Sequence, residues 1–62
     1  MGRSTLYKFV ESKMGDDLHF YLEACRSDQM TFEQIAEDLF LISGVSVGKS
    51  TVHEWVIKEG IN

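Results

Sequence analysis

Apolar residues recur along this chain at three- and four-residue intervals, and glycines at 15, 44, 48 and 60 break the pattern into four helical segments. The first runs from Ser4 to about Met14, with Leu6, Phe9, Val10 and Met14 on one face. Ser4 or Thr5 caps it, and Gly15 suits the position just past its end. The second opens on Asp16 and Asp17, which favour a helix N-terminus as caps and as negative charges against the dipole. Its stripe is Leu18, Tyr21, Leu22 and Cys25, Arg26 sits near its end, and Ser27-Asp28-Gln29 reads as a turn. The third has the clearest start: Thr31 as N-cap, Gln34 three residues on as in a capping box, and Met30 with Ile35 as a hydrophobic staple. Ile35, Ala36, Leu39 and Ile42 are its inward positions, and Gly44 ends it. Val45-Ser46-Val47 is an extended connection. The fourth segment opens around Gly48, carries Val52, Trp55 and Val56 inward from Lys49 to Lys58, and stops by Gly60.

No proline interrupts these segments, and no alternating pattern is long enough for a sheet. The expected fold class is therefore all-α, a three- to four-helix bundle, with residues 1–62 as a single domain. A chain this short buries only about 60% of its unfolded surface, so its stability is marginal. One cysteine forms no internal disulfide, and no set of four Cys and His residues exists for a structural zinc. Stability has to come from helix packing or from association with another chain. The longest apolar run, Leu39 to Ile42, is four residues, far short of a membrane span, and no apolar leader is visible. A lone cysteine with no leader favours a reducing, cytoplasmic setting.

Within residues 31–59 the informative residues are Ile35-Ala36, Leu39 one turn later, Gly44 and Val47, then Ser50-Thr51-Val52 and Trp55. Here the chain resembles small helix-turn-helix DNA-binding domains of bacteriophage and bacterial regulators and recombinase-like proteins. The physical sense of the pattern is direct. Ala36 is small, so two helices can cross closely, and Ile35, Leu39, Val47, Val52 and Trp55 form the wedge that sets the crossing. The resemblance implies a bundle containing a helix-turn-helix whose last helix enters a major groove. It implies double-stranded DNA as partner and transcription regulation as role. The connection from Leu39 to Val47 is longer than in the tightest versions of the motif, which reads as an extra turn on the first helix. Gly48 stands where a polar cap is usual, and Glu54 where a basic residue is usual.

The net charge of −4 runs against DNA binding, which ordinarily uses a basic face. The acids are unevenly spread. Glu33, Glu37 and Asp38 cluster in one stretch, whereas Ser43 to Lys58 holds two lysines and one glutamate. On the fourth helix the face opposite Val52, Trp55 and Val56 carries the candidate DNA-binding residues Lys49, Ser50, His53, Glu54 and Lys58, with Thr51 beside them. Lys49 is the candidate for a phosphate or guanine contact, and Ser50 and Thr51 for phosphate or sugar. His53 is within reach of a base edge, Glu54 either repels phosphate or accepts from a cytosine amine, and Lys58 meets the backbone. So few cations predict weak nonspecific affinity and a shallow salt dependence. The plain alternative is that these residues form a solvated helix face.

Nothing in the chain suggests catalysis or a bound cofactor. Gly44-Val-Ser-Val-Gly48-Lys49-Ser50 imitates a phosphate-binding loop, but only three residues separate its glycines and the loop requires four. Cys25 lies on an apolar stripe, as core cysteines do. His19 and His53 lie on different segments, with no metal-ligand spacing between them. Phe20, Phe40 and Leu41 fall off the main stripes and are candidates for a homodimer or protein-partner surface. The competing expectation is an acidic helical adaptor, or an inhibitor of another protein, built on the same fold.

Overall fold

The computed structural model describes residues 4–61. Four helices follow one another: α1 (Thr5–Met14), α2 (Leu18–Ser27), α3 (Phe32–Ser43) and α4 (Lys49–Lys58). The protein is an all-α helical bundle, as its apolar periodicity predicts. Each of the first three helices starts on a side-chain cap. Ser4 Oγ accepts from the Tyr7 amide at 3.1 Å, and the Asp17 carboxylate accepts from His19 at 2.9 Å. Thr31 and Gln34 form the expected capping box, each side chain accepting the other's amide. These contacts satisfy amides that a helix start leaves without intrahelical partners.

The C-termini are closed by backbone devices. Gly44 ends α3 at φ 76°, a left-handed conformation that glycine adopts without a Cβ penalty. Ser43 Oγ donates to the Leu39 carbonyl at 2.7 Å and accepts from the Val45 amide at 3.2 Å. Both α2 and α4 end in Schellman motifs: Met30 donates to the Cys25 carbonyl and Ile61 to the Val56 carbonyl. In α4 the left-handed residue is Gly60, but in α2 it is Gln29, at φ 62°. The α2 motif therefore carries no glycine to announce it.

The core joins all four helices: Tyr7 and Val10 from α1, Leu18, Leu22 and Cys25 from α2, Ile35, Ala36 and Leu39 from α3, and Val52, Trp55 and Val56 from α4. Tyr7 meets Trp55 edge-to-face, ring centroids 5.2 Å apart, so the first helix is keyed directly to the last. This corrects the face expected for α1. Leu6 and Phe9 point to solvent, Phe9 at 48% exposure, and Tyr7 takes the inward position with Val10. The phenol's amphipathic character lets Tyr7 fill the core where the strictly apolar stripe suggested its neighbours. Ile42 is likewise 46% exposed and not inward; the half-buried residue of that last turn is Ser43. Asp38 is half-buried, not part of a wholly exposed acidic face, and it accepts a hydrogen bond from Tyr21 Oη between α2 and α3. His19 Nδ1 lies 2.7 Å from Glu59 Oε1, joining the start of α2 to the end of α4. Among the described residues no helix is long and apolar enough to cross a membrane.

Candidate nucleic-acid interface

Helix α4 begins and ends where its sequence predicts, at Lys49 and Lys58. Val52, Trp55 and Val56 are buried, which fixes the rotation of the helix about its axis. At 3.6 residues per turn, the line opposite that buried stripe runs through Ser50, Glu54 and Ile57. Lys49 and His53 flank it on one side, and Thr51 and Lys58 on the other. Ser50, His53, Glu54, Lys49 and Lys58 are all exposed, and Thr51 is half-buried at the edge of the core. The exposed face is thus a weakly charged centre with a cation near each end. Lys49 and Lys58 are nine positions apart, about 13.5 Å along the axis.

Local contacts modify this face. Glu54 Oε1 is 3.9 Å from Lys58 Nζ, an i,i+4 pair with both side chains 67% exposed. Such a pair contributes at most a few tenths of a kcal/mol, so Lys58 is readily released to another anion. His53 lies against the Phe32 ring from the first turn of α3, with centroids 4.7 Å apart and planes tilted by 51°. The Arg26 guanidinium sits 4.6 Å from the centroid of the same ring. Arg26 and His53 therefore both pack on the Phe32 ring, linking the end of α2 to the flank of α4, and sequence spacing gave no sign of it. Ile57, 63% exposed at the centre of the face, was also missed. Its i+2 position after Trp55 does put it outside the buried stripe.

The start of α4 differs from the other three helices. Its N-cap is Gly48 and no side chain accepts from its first amides, whereas the other three are capped by Ser4, Asp17 and Thr31; like α1 and α2, it has no acidic residue in its first turn. The positive end of the helix dipole and the Lys49 ammonium consequently stand together at one exposed corner. Across a shallow groove, however, Lys49 faces Glu33 and Glu37 of α3. The groove thus brings one cation of α4 and two carboxylates of α3 into the same lining. No protein-family model, curated protein or solved structure matches this chain.

Proposed function

We propose that this protein is a DNA-binding helix-turn-helix domain, acting as a transcriptional regulator and reading duplex DNA with α4. The observation that carries the reading is the rotation of α4. With Val52, Trp55 and Val56 locked in the core, the helix turns Lys49, Ser50, His53, Glu54 and Lys58 outward, one short connection after α3. The spacing of the two lysines, about 13.5 Å by helical rise, is close to the roughly 12 Å width of a B-DNA major groove. In this reading Lys49 and Lys58 meet phosphates at the groove edges, and the open amides of α4 assist Lys49. Ser50 and Thr51 approach phosphate or sugar near the same corner. His53, Glu54 and Ile57 face the bases. Glu54 accepts from a cytosine amine, and Ile57 offers an apolar contact to a thymine methyl.

The role is binding and not catalysis. One α4 per protomer covers too little DNA for tight specific recognition, so the proposal includes a homodimer on two half-sites about one helical turn apart. The test is binding of random-sequence duplex DNA by the wild-type protein and by Lys49→Glu. Lys49 is exposed, so the variant should keep its far-UV circular dichroism and melting temperature while losing at least tenfold in affinity. Equal affinity in a folded Lys49→Glu variant would remove α4 from the reading.

A further inference from the structure

A groove of about 580 Å³ lies between α3 and the connection into α4, separate from the centre of the DNA-facing helix. Ala36, Phe40, Leu41 and Val47 give it an apolar lining, Glu33 and Glu37 stand on its α3 side, and Lys49 is the one cation among its lining residues, on the α4 side. Leu41, at 80% exposure, is the most exposed large apolar side chain among the described residues, and Phe40 is half exposed beside it. Exposed apolar surface of this kind, rimmed by charge, marks interaction sites on small soluble domains. Glu33, Glu37 and Leu41 follow at four-residue intervals, so they form one ridge, inclined to the α3 axis and about 12 Å long.

The charge along that ridge has one sign. Besides its two carboxylates, the C-terminal end of α3 has no basic residue in its last turn, whereas α1, α2 and α4 have Lys13, Arg26 and Lys58 there. The negative end of the α3 dipole is therefore not offset by a side chain of its own helix, and it lies next to Phe40 and Leu41. We infer that this groove binds a cationic amphipathic helix of a partner protein. Its apolar stripe seats against Phe40, Leu41 and Val47, and its Lys or Arg side chains meet Glu33, Glu37 and the end of α3. Helix-in-groove recognition of this type is anchored by apolar residues at i, i+3 or i+4, and i+7, which matches the length of the ridge. A second copy of this chain is the poorer occupant. Two copies with a net charge of −4 each would bring their Glu33 and Glu37 carboxylates toward one another.

The experiment is a chemical-shift titration of the isotope-labelled protein at physiological ionic strength. The probe is a synthetic Leu/Lys amphipathic peptide of about 14 residues, long enough to form a helix once bound. Controls are a peptide of the same composition scrambled to remove its apolar stripe, and a Leu/Glu peptide of the original pattern. The inference predicts shifts concentrated at residues 33–41 and 46–49 with the patterned Leu/Lys peptide alone. It predicts at least a tenfold loss of affinity in Leu41→Asp and in the Glu33→Gln, Glu37→Gln double variant. Leu41 is on the surface, so Leu41→Asp leaves the fold intact, which the unperturbed signals of α1 and α2 verify. Phe20→Ser, which removes an exposed apolar residue of α2, leaves peptide affinity unchanged. Equal binding of the scrambled peptide, or unchanged affinity in Leu41→Asp, overturns the inference. Concentration-dependent shifts at the same residues with no peptide present also overturn it, in favour of a second copy.

Discussion

Gly48 offers a substitution whose stability and binding effects separate. It caps α4 at φ −85° and ψ 159°, ordinary extended backbone, and a Cβ added there would meet nothing within 4 Å. Serine fits that backbone and supplies the missing side-chain acceptor for the first amides of α4. The cap itself is worth a few tenths of a kcal/mol over glycine. Removing a glycine from the unfolded chain adds about 0.4–1 kcal/mol where the native conformation suits the new residue. Gly48→Ser should therefore stabilise the fold by about 1 kcal/mol, which for a domain of this size raises the melting temperature by roughly 4–8 °C. Gly48→Asp should stabilise at least as much, because its carboxylate also opposes the helix dipole. In the proposed complex, however, that carboxylate stands where Lys49 and the α4 amides meet phosphate. A like-charge contact of about 1–2 kcal/mol corresponds to roughly tenfold weaker binding. Thermal melts by circular dichroism measure the first effect and fluorescence anisotropy with duplex DNA the second. A Gly48→Ser variant that melts no higher than the parent would refute the capping argument. Gly48→Asp binding DNA like the parent would refute the location of the phosphate contact.

Further predictions concern the core and the α2–α3 junction. Leu39 is fully buried between α3 and its neighbours, so Leu39→Ala should cost about 2–5 kcal/mol. A domain of 62 residues has a total stability of roughly 3–9 kcal/mol, so the variant loses a large share of it and should melt at least about 10 °C below the parent by far-UV circular dichroism. Burial, followed by its hydrogen bond to Asp38, raises the Tyr21 phenol above its ordinary value of 10.0. A folded-state value above the unfolded one leaves this stabilisation complete below pH about 10 and withdraws it as the pH rises further. Tyr21→Phe should lose about 1 kcal/mol at neutral pH, as for a typical hydrogen bond, and its urea-melt deficit relative to the parent should shrink at strongly alkaline pH. A constant deficit across that range would show that the phenol's titration does not matter to folding.

The local rules carried far in this chain. Caps at Ser4, Asp17 and Thr31, and the glycines at 44 and 60, act over a few residues, and so the ends of α3 and α4 were legible to within a residue or two. The α1 face was not, because Tyr7 and Phe9 lie on opposite sides of Val10 and only contact with Trp55 decides which side turns inward. The end of α2 was hidden because Gln29 holds a left-handed conformation that usually signals itself as glycine. For the candidate site, the identity of the exposed α4 residues followed from the rotation that Val52, Trp55 and Val56 impose. What surrounds them did not. The packing of Arg26 and His53 on the Phe32 ring brings together residues from three helices. The groove that sets Lys49 opposite Glu33 and Glu37 exists only once α3 and α4 are packed.

The most direct measurement is the salt dependence of binding to random-sequence duplex DNA, followed by anisotropy. Two lysine–phosphate contacts per protomer predict a slope of log affinity against log salt of about −1.8. Affinity should thus fall about tenfold between 50 and 200 mM salt for one protomer, and by roughly a hundredfold for a dimer engaging two half-sites. A slope in that range, lowered in Lys49→Glu, is what the account predicts. No binding at the lower salt by a folded protein, or binding that ignores salt, would contradict it.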